Sequence, residues 1–398
     1  MQYPQEQTLP SGKLVQANQQ AQSIAYSLDD GMTWTTYDEG NPVILEPPAE
    51  YADQILEFRD PGVFWHAESG KWIGLVSLAQ LHKVLIYTSD NLREWEVASE
   101  FGPVNAVGGV WECPSLFPLR VDSDGEIKWV LQIGLNPGGP PGTPGSGNQY
   151  IVGQFDGTTF TPDPESVQQT NWVDWGPDFY AALTFGGLPI EDRVNIAWMN
   201  NWKYGAAIPT DPWRSAASLP RKLSLRTINE RVTLVQTPIL EEQEGQDQHF
   251  DAVPSGTTKL DITGKTLDAT LTFSNSTATD FGIIVRATSD LSQQTRIGYD
   301  FAAGQLFVDR STSGEVGFDD SFAAAYSAPL SSDAGTITMR VLVDWSSVEV
   351  FGGVGDVSLT TQIFPSEEAV EVHLFSTDGE TSDVDLTVRE VPSVWVTE

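Results

Sequence analysis

Along the chain, apolar residues come in short alternating or continuous runs, each closed by a cluster of Gly, Asp, Asn or Pro. The runs Gln22–Ser27, Val63–His66, Trp72–Ser77, Val84–Thr88, Trp129–Ile133, Tyr150–Phe155 and Val194–Met199 predict β-strands, because successive side chains of a strand point to opposite faces. No stretch holds a helical apolar period over three turns, so no substantial helix is predicted. Residues 1–236 therefore read as an antiparallel all-β meander, the pattern of a propeller or a sandwich. The polar, acidic stretch 237–248 predicts a linker. Beyond it, Thr270–Phe273, Phe281–Ala287, Thr295–Phe301, Gln305–Asp309, Ile337–Asp344, Ser347–Phe351 and Val370–Ser376 predict a second all-β domain over 249–398, a β-sandwich.

Two turns favour the propeller. Ser27-Leu28-Asp29-Asp30-Gly31-Met32-Thr33-Trp34 follows a Ser-x-Asp-x-Gly-x-x-Trp hairpin pattern, and Ser89-Asp90-Asn91-Leu92-Arg93-Glu94-Trp95 is a looser version. Ser and Asp side chains bond turn amides, Gly takes a positive φ, and the Trp is expected to pack against the adjacent blade. The glycine-rich segment from Asn136 to Gly147 resembles a phosphate cradle but lacks a Gly-Lys-Ser/Thr ending and is broken by prolines. It reads as a structured surface loop.

At 398 residues the chain is long enough for two domains. A net charge of -34 excludes nucleic acid as a partner, since phosphate binding needs clustered Lys and Arg, whereas neutral sugars are not repelled. No apolar run is long enough for a membrane span, and no signal peptide opens the chain. With one cysteine, Cys113, no intrachain disulfide forms. The sequence near Cys113 offers no activating His, so it reads as a small core residue. His66, His82, His249 and His373 are scattered without ligand spacing, so no metal and no cofactor is expected. Asn275-Ser276-Thr277 is a glycosylation sequon, usable in a secreted protein.

Candidate chemistry lies in Gly108-Gly109-Val110-Trp111-Glu112-Cys113-Pro114-Ser115-Leu116-Phe117. One carboxyl among apolar and aromatic neighbours loses hydration, which raises its pKa towards the range of a general acid. The other reading of Glu112 is a strand-end glutamate paired with an arginine. A second acid, Asp60, sits in Phe58-Arg59-Asp60-Pro61, where the proline predicts the end of an extended segment. Arg59 and Phe58 are expected to hold it ionised. Alone, Asp60 reads more readily as a turn aspartate before a proline.

Together, Phe58-Arg59-Asp60-Pro61 and Trp111-Glu112-Cys113-Pro114 resemble glycoside hydrolase family 32, the fructan- and sucrose-cleaving β-fructosidases, and most of all its fungal fructan-cleaving branch. Gln22–Gly31, Leu135–Gly142, Trp175–Ala181, Trp198–Trp202 and Ser347–Gly353 are similar to that branch too, from about Gln7 to the C-terminus. The resemblance implies a five-bladed β-propeller, its first blade incomplete, followed by a β-sandwich. It implies an extracellular enzyme that releases terminal β-fructofuranosyl units from inulin, levan or sucrose with retention. Glu112 would be the acid/base, and Asp60 the stabiliser of the transition state. Arg59, Trp202 and Asp178 would bind substrate, Trp202 under the sugar ring and Asp178 on the pocket floor. One departure stands out: the family's Trp/Met-Asn-Asp-Pro-Asn/Asp-Gly run, which supplies the nucleophilic aspartate, is not found, and Asn41-Pro42 and Trp198-Met199-Asn200 only echo it. The alternative expectation is thus an inactive, truncated relative or a fructan-binding module. Sialidase-like propellers need an arginine triad and a tyrosine nucleophile that this sequence does not assemble. Arabinan-cleaving propellers would leave the quoted runs unexplained.

Overall fold

The computed structural model describes residues 1–123, 125–241, 244–333 and 335–393, with the backbone alone at Asn275. The side chain of the predicted sequon therefore lies outside the described residues. The chain is almost wholly β, with only short 3₁₀ turns besides. No described helix is long and apolar enough to cross a membrane. It divides into two compact units, one of residues 1–138, 148–171 and 181–191, the other of 139–147, 172–180 and 192–398.

The first unit opens with two small ribbons, β1 (Gln7–Thr8) with β2 (Leu14–Val15) and β3 (Ala25–Tyr26) with β4 (Thr35–Thr36). The Gln22–Ser27 run is thus far shorter as a strand than its sequence predicts. Two antiparallel meanders follow, in sheets of four and five strands. The first is β5 (Phe58–His66), β6 (Lys71–Leu78), β7 (Lys83–Ser89) and β8 (Glu96–Phe101). The second is β9 (Val110–Arg120), β10 (Ile127–Asn136), β11 (Gly147–Phe155) and β12 (Phe160–Pro162). Phe64, Trp129, His66 and Phe155 lock rings along this unit, with centroids 5.1–6.2 Å apart. Both predicted turns form. Ser27 Oγ accepts from Gly31 N, Asp29 accepts from Thr33, and Gly31 has φ +88°. Trp34, however, does not pack against another blade: it is 65% exposed and its indole N–H donates back to Gly31 O at 2.9 Å. Trp95 repeats that bond to Leu92 O, yet its ring lies over Gly74 of β6, where a Cβ would come within 2.8 Å of it.

Strands β13 (Asn171–Trp172) and β14 (Tyr180–Thr184) fall where the chain passes between units. The second unit then contains β15 (Val194–Met199), β16 (Ala216–Ala217), β17 (Arg221–Ile228) and β18 (Arg231–Pro238) in one antiparallel sheet. Two six-stranded sheets follow, built from β19 (Gln246–Val253), β20 (Gly256–Thr263), β21 (Leu267–Ser276), β22 (Asp280–Ala287), β23 (Gln294–Asp300), β24 (Gln305–Thr312), β25 (Ala325–Pro329), β26 (Ile337–Asp344), β27 (Ser347–Gly352), β28 (Val357–Gln362), β29 (Glu371–Thr377) and β30 (Thr381–Glu390). Their orders are 19-30-21-26-27-28 and 20-29-22-23-24-25. Alternate residues of both, such as Leu271, Phe273, Ile283, Val308, Val341 and Leu374, close one apolar core between them. The pattern did not predict β19, β20, β25, β28 or the interior strand β30; β19 and β20 are edge strands. With one neighbour each, they keep polar and charged residues such as Asp247, His249, Lys259 and Asp261 on solvated faces, which also discourages edge pairing with another chain.

Candidate active site

The two acidic motifs occupy the same kind of bulge in successive meanders of the first unit. Between Arg59 and Gly62 the pairing of β5 with β6 skips a register, and Asp60 has φ +60°. Opposite Gln132 to Gly134 the pairing of β9 with β10 does the same, and Cys113 has φ +51°. Each bulge holds a left-handed residue followed by a proline, which has no N–H to give the ladder. Asp60 is thus inside a strand, not at the end of one as its proline suggested. The bulges bring the strands close: a Cβ on Gly62 would meet Pro114 O at 2.7 Å. The Cys113 N–H donates to Asp60 Oδ2 at 3.0 Å.

Arg59 joins the two acids. Its Nε and Nη2 donate to Glu112 Oε1 at 3.1 and 2.9 Å, while Nε lies 4.0 Å from Asp60 Oδ2. The two carboxyl oxygens are therefore within about 7 Å of each other. Nη1 donates to Glu57 Oε2 at 2.5 Å and to Gln20 Oε1 at 3.4 Å. Glu112, only 16% exposed, is not in the purely apolar setting its sequence neighbours suggested: it takes both inner donors of the guanidinium. Asp60 differs from expectation in the opposite sense. Burial pushes its carboxyl above the ordinary aspartate range; the Cys113 N–H works against this, the Glu112 charge adds to it, and Arg59 opposes it less strongly. Three carboxylates face one arginine, so the cluster carries excess negative charge where a developing cation would be welcome. Beside it, Met1, Gln2, Gln20, Arg59, Asp60 and Pro61 line a cleft of about 220 Å³.

Cys113 is partly buried beside this cluster, its Sγ 3.7 Å from Asp60 Oδ2. Burial pushes the thiol well above its ordinary range, and the charges of Asp60 and Glu112 push it further. A thiolate nucleophile is disfavoured there. Cys113 should accordingly resist iodoacetamide in the folded protein at neutral pH and react once the chain is unfolded in urea; rapid labelling of the native form would contradict this.

The remaining predicted residues lie in the second unit. Trp202 is 61% exposed, with its ring 5.1 Å from that of Trp198 and inclined at 45°. Asp178, expected on a pocket floor, is fully buried instead. Its oxygens accept from Arg310 Nη1 at 2.5 Å, Tyr204 Oη at 2.6 Å and the Gln362 N–H at 2.8 Å, leaving no face for a ligand. Arg310 also donates to Phe322 O and Tyr326 Oη and lies 3.7 Å over the Phe322 ring. A second buried arginine, Arg221, donates to Asp174, Gln236 and Ser358 through Nη1 and to Glu349 and Thr360 through Nη2, between the rings of Phe179 and Phe351. Sequence reasoning missed both hubs. Their signal is phase: Arg221 shares the inward face of β17 with Leu223 and Leu225, and Arg310 that of β24 with Leu306 and Val308. Among the described residues, no group of His, Cys, Asp and Glu is placed to hold a metal ion.

Comparison with known proteins agrees with this architecture. Residues 6–238 match the Glycosyl hydrolases family 32 N-terminal domain, and residues 238–390 match the Glycosyl hydrolases family 32 C terminal. The chain is 55% identical to an extracellular exo-inulinase of Aspergillus ficuum, over 99% of this chain and 75% of that protein. It is 40% identical to a levanase of Bacillus subtilis, over 95% of this chain and 56% of that protein. The crystal structure of exo-inulinase from Aspergillus awamori superposes with a TM-score of 0.97 at 54% identity, covering 99% of this chain and 78% of that one. A β-fructofuranosidase from Schwanniomyces occidentalis gives 0.81 at 31% identity, over 94% and 76%. The fold is a β-propeller followed by a β-sandwich, and the chain is a glycosidase belonging to glycosyl hydrolase family 32.

Proposed function

We propose that this enzyme works outside the cell and releases terminal β-D-fructofuranosyl units from inulin, levan or sucrose, with retention at the anomeric carbon. The propeller over 1–236 would carry the chemistry and the sandwich over 249–398 would support it. Glu112 protonates the glycosidic oxygen as the bond to the anomeric carbon breaks, and a nucleophilic carboxylate takes that carbon. Glu112 then removes a proton from water, which displaces the carboxylate and frees fructose. Arg59 steadies the Glu112 carboxylate left after the first proton transfer. Asp60 does not attack. It accepts hydrogen bonds from the sugar hydroxyls, and its charge favours the oxocarbenium-like transition state. Trp202 offers an indole face to a sugar ring. The observation that carries this reading is the Arg59 guanidinium reaching the carboxyls of both Glu112 and Asp60 beside a cleft.

A second reading, a fructan-binding protein without turnover, is favoured by one observation: no Asn-Asp-Pro run occurs in these 398 residues to provide the nucleophile. Fructose release from inulin and sucrose, measured on this chain and on a form extended upstream, separates the two. Release by either supports hydrolysis. Binding of inulin by both with no release supports the second reading.

Asp60 also yields a test of site against scaffold. Because its carboxyl is raised in the folded state, the protonated form adds stability that is lost as pH rises through and above 3.8. Asp60→Asn should therefore unfold at equal or higher urea concentration than the parent at pH 7, while fructose release falls by roughly 10²-fold or more. A variant that loses stability but keeps turnover would remove Asp60 from the chemistry.

A further inference from the structure

The turn that presents Trp202 is held more fully than its exposure demands. Asn201, its neighbour, is wholly buried, and its side-chain amide uses every bond it can make. Nδ2 donates to Pro144 O at 2.8 Å and Pro177 O at 2.6 Å. Oδ1 accepts from the Lys203 N–H at 2.9 Å and from the Ser146 N–H at 3.4 Å. The bond to Lys203 closes an Asx-turn with Trp202 at its crest. The Asn201 carbonyl in turn accepts from Gly205 N and Tyr204 N at 2.7 and 3.2 Å, and the Trp202 N–H reaches Ser146 Oγ at 3.4 Å. Three stretches distant in sequence, 139–147, 172–180 and 199–205, meet on this one amide.

The glycine-rich loop is shaped to receive it. Gly145 has φ +66°, and a Cβ there would come within 1.9 Å of Asn201 Oδ1. Gly139 N donates to Gly145 O at 3.1 Å, which closes the loop on itself. The loop thus has a use beyond covering surface: its tip supplies Pro144 O, the Ser146 N–H and Ser146 Oγ. An exposed indole on a mobile turn would fold down onto the nearest apolar surface and lose its open face. Fixing the backbone on both sides of Trp202 keeps that face available before any sugar arrives, which lowers the ordering needed on binding.

We propose that Asn201 is a positioning residue that, with Ser146 and the Gly139–Gly147 loop, fixes the direction in which Trp202 presents its ring to a fructosyl unit. This rests on the reading of Trp202 as a sugar platform. It acts on substrate affinity and leaves the proton transfers untouched.

The test compares Asn201→Ala, Gly145→Ala, Ser146→Ala, Trp202→Ala and the pair Asn201→Ala/Trp202→Ala, with KM and kcat read for fructose release from inulin alongside the urea midpoint. Asn201→Ala and Gly145→Ala should raise KM about tenfold, as loss of a well-made buried hydrogen bond does. They should leave kcat within about twofold, because no interaction made only in the transition state is removed. Ser146→Ala removes only the hydroxyl that receives the Trp202 N–H; it should raise KM in the same sense and carries the test if Asn201→Ala does not fold. In the Trp202→Ala background, Asn201→Ala should raise KM no further. Additive effects in the pair, or normal KM in the single variants while Trp202→Ala raises it, would overturn the positioning role and leave the platform standing. An unchanged KM in Trp202→Ala would remove the platform and the inference with it. If the chain binds inulin without turnover, the same comparisons are made on the dissociation constant.

Discussion

Glu112→Gln should lower kcat for fructose release from sucrose and inulin by about 10³-fold, within the 10²–10⁴ that a positioned proton donor supplies. The amide is close in size to the carboxyl and can still accept a hydrogen bond from Arg59, whose Nε and Nη2 lie 3.1 and 2.9 Å from Oε1, so the change removes the proton while the geometry stays. Two further readouts identify the lost step. The limb of the pH–rate profile that falls as the acid deprotonates should vanish. A substrate whose leaving group departs without a proton should lose much less in its first step than sucrose does. Glu112→Ala should be at least as damaging, since it also removes the acceptor of Arg59 Nε and Nη2. Parental turnover in Glu112→Gln would transfer the acid role to another residue and leave Glu112 as a partner for Arg59, the plainer of its two sequence readings.

Arg221→Leu should lower stability by about 3–5 kcal/mol, the usual consequence of removing one partner from a buried ionic group. Arg221 is fully buried, and its loss leaves Asp174 and Glu349 almost without solvent and without their cation. Asp174 keeps the N–H groups of Gly176 and Thr360, and Glu349 keeps that of Leu219, so the fold has partial support but no counter-charge. Urea unfolding should show a lower midpoint with an unchanged slope. Replacing the carboxylates as well, with Asp174→Asn and Glu349→Gln in the Arg221→Leu background, should recover part of the loss, because the penalty is chiefly that of stranded charge. The group already holds two carboxylates for one arginine, and burial raises the Glu349 carboxyl although Arg221 opposes it. Folded protein therefore holds that proton more tightly than unfolded chain does. The associated stability is present below pH 4.5 and is lost as pH rises through the folded value. Glu349→Gln should flatten this part of the pH dependence. An Arg221→Leu midpoint equal to the parent's would show that the carboxylates are neutralised or hydrated by another route.

Arg221 and Arg310, both fully buried, mark where sequence reading stops. Val194–Met199 was legible to the residue because it alternates cleanly between a buried and a wetter face; Ile337–Asp344 was too, where alternation gives way to the buried apolar run Val341–Val343. Strands β19 and β20 were not, since an edge strand needs few apolar residues to stay in place. The β17–β18 hairpin was hidden for a different reason: its turn uses Asn229 and Glu230 at φ +48° and +64° with no glycine to announce it. Asp178 was singled out by its motif for the wrong place. Asp178 meets Arg310 inside the second unit, and a motif does not say whether its acid meets a ligand or an arginine.

The site divides along the same line. Sequence by itself determined the all-β class and the family and singled out the two acids as candidates, because strand period, turn chemistry and short motifs are local properties written in neighbouring residues. What surrounds those acids only the tertiary structure decided. Arg59 reaches Glu112 across 53 positions, Cys113 gives its N–H to Asp60 across the same interval, and Asn201 gathers Pro144, Ser146 and Pro177 from separate loops. The charge and hydration that set the behaviour of a carboxyl come from groups within a few ångströms in space, and such neighbours are brought there by packing, at no fixed distance along the chain.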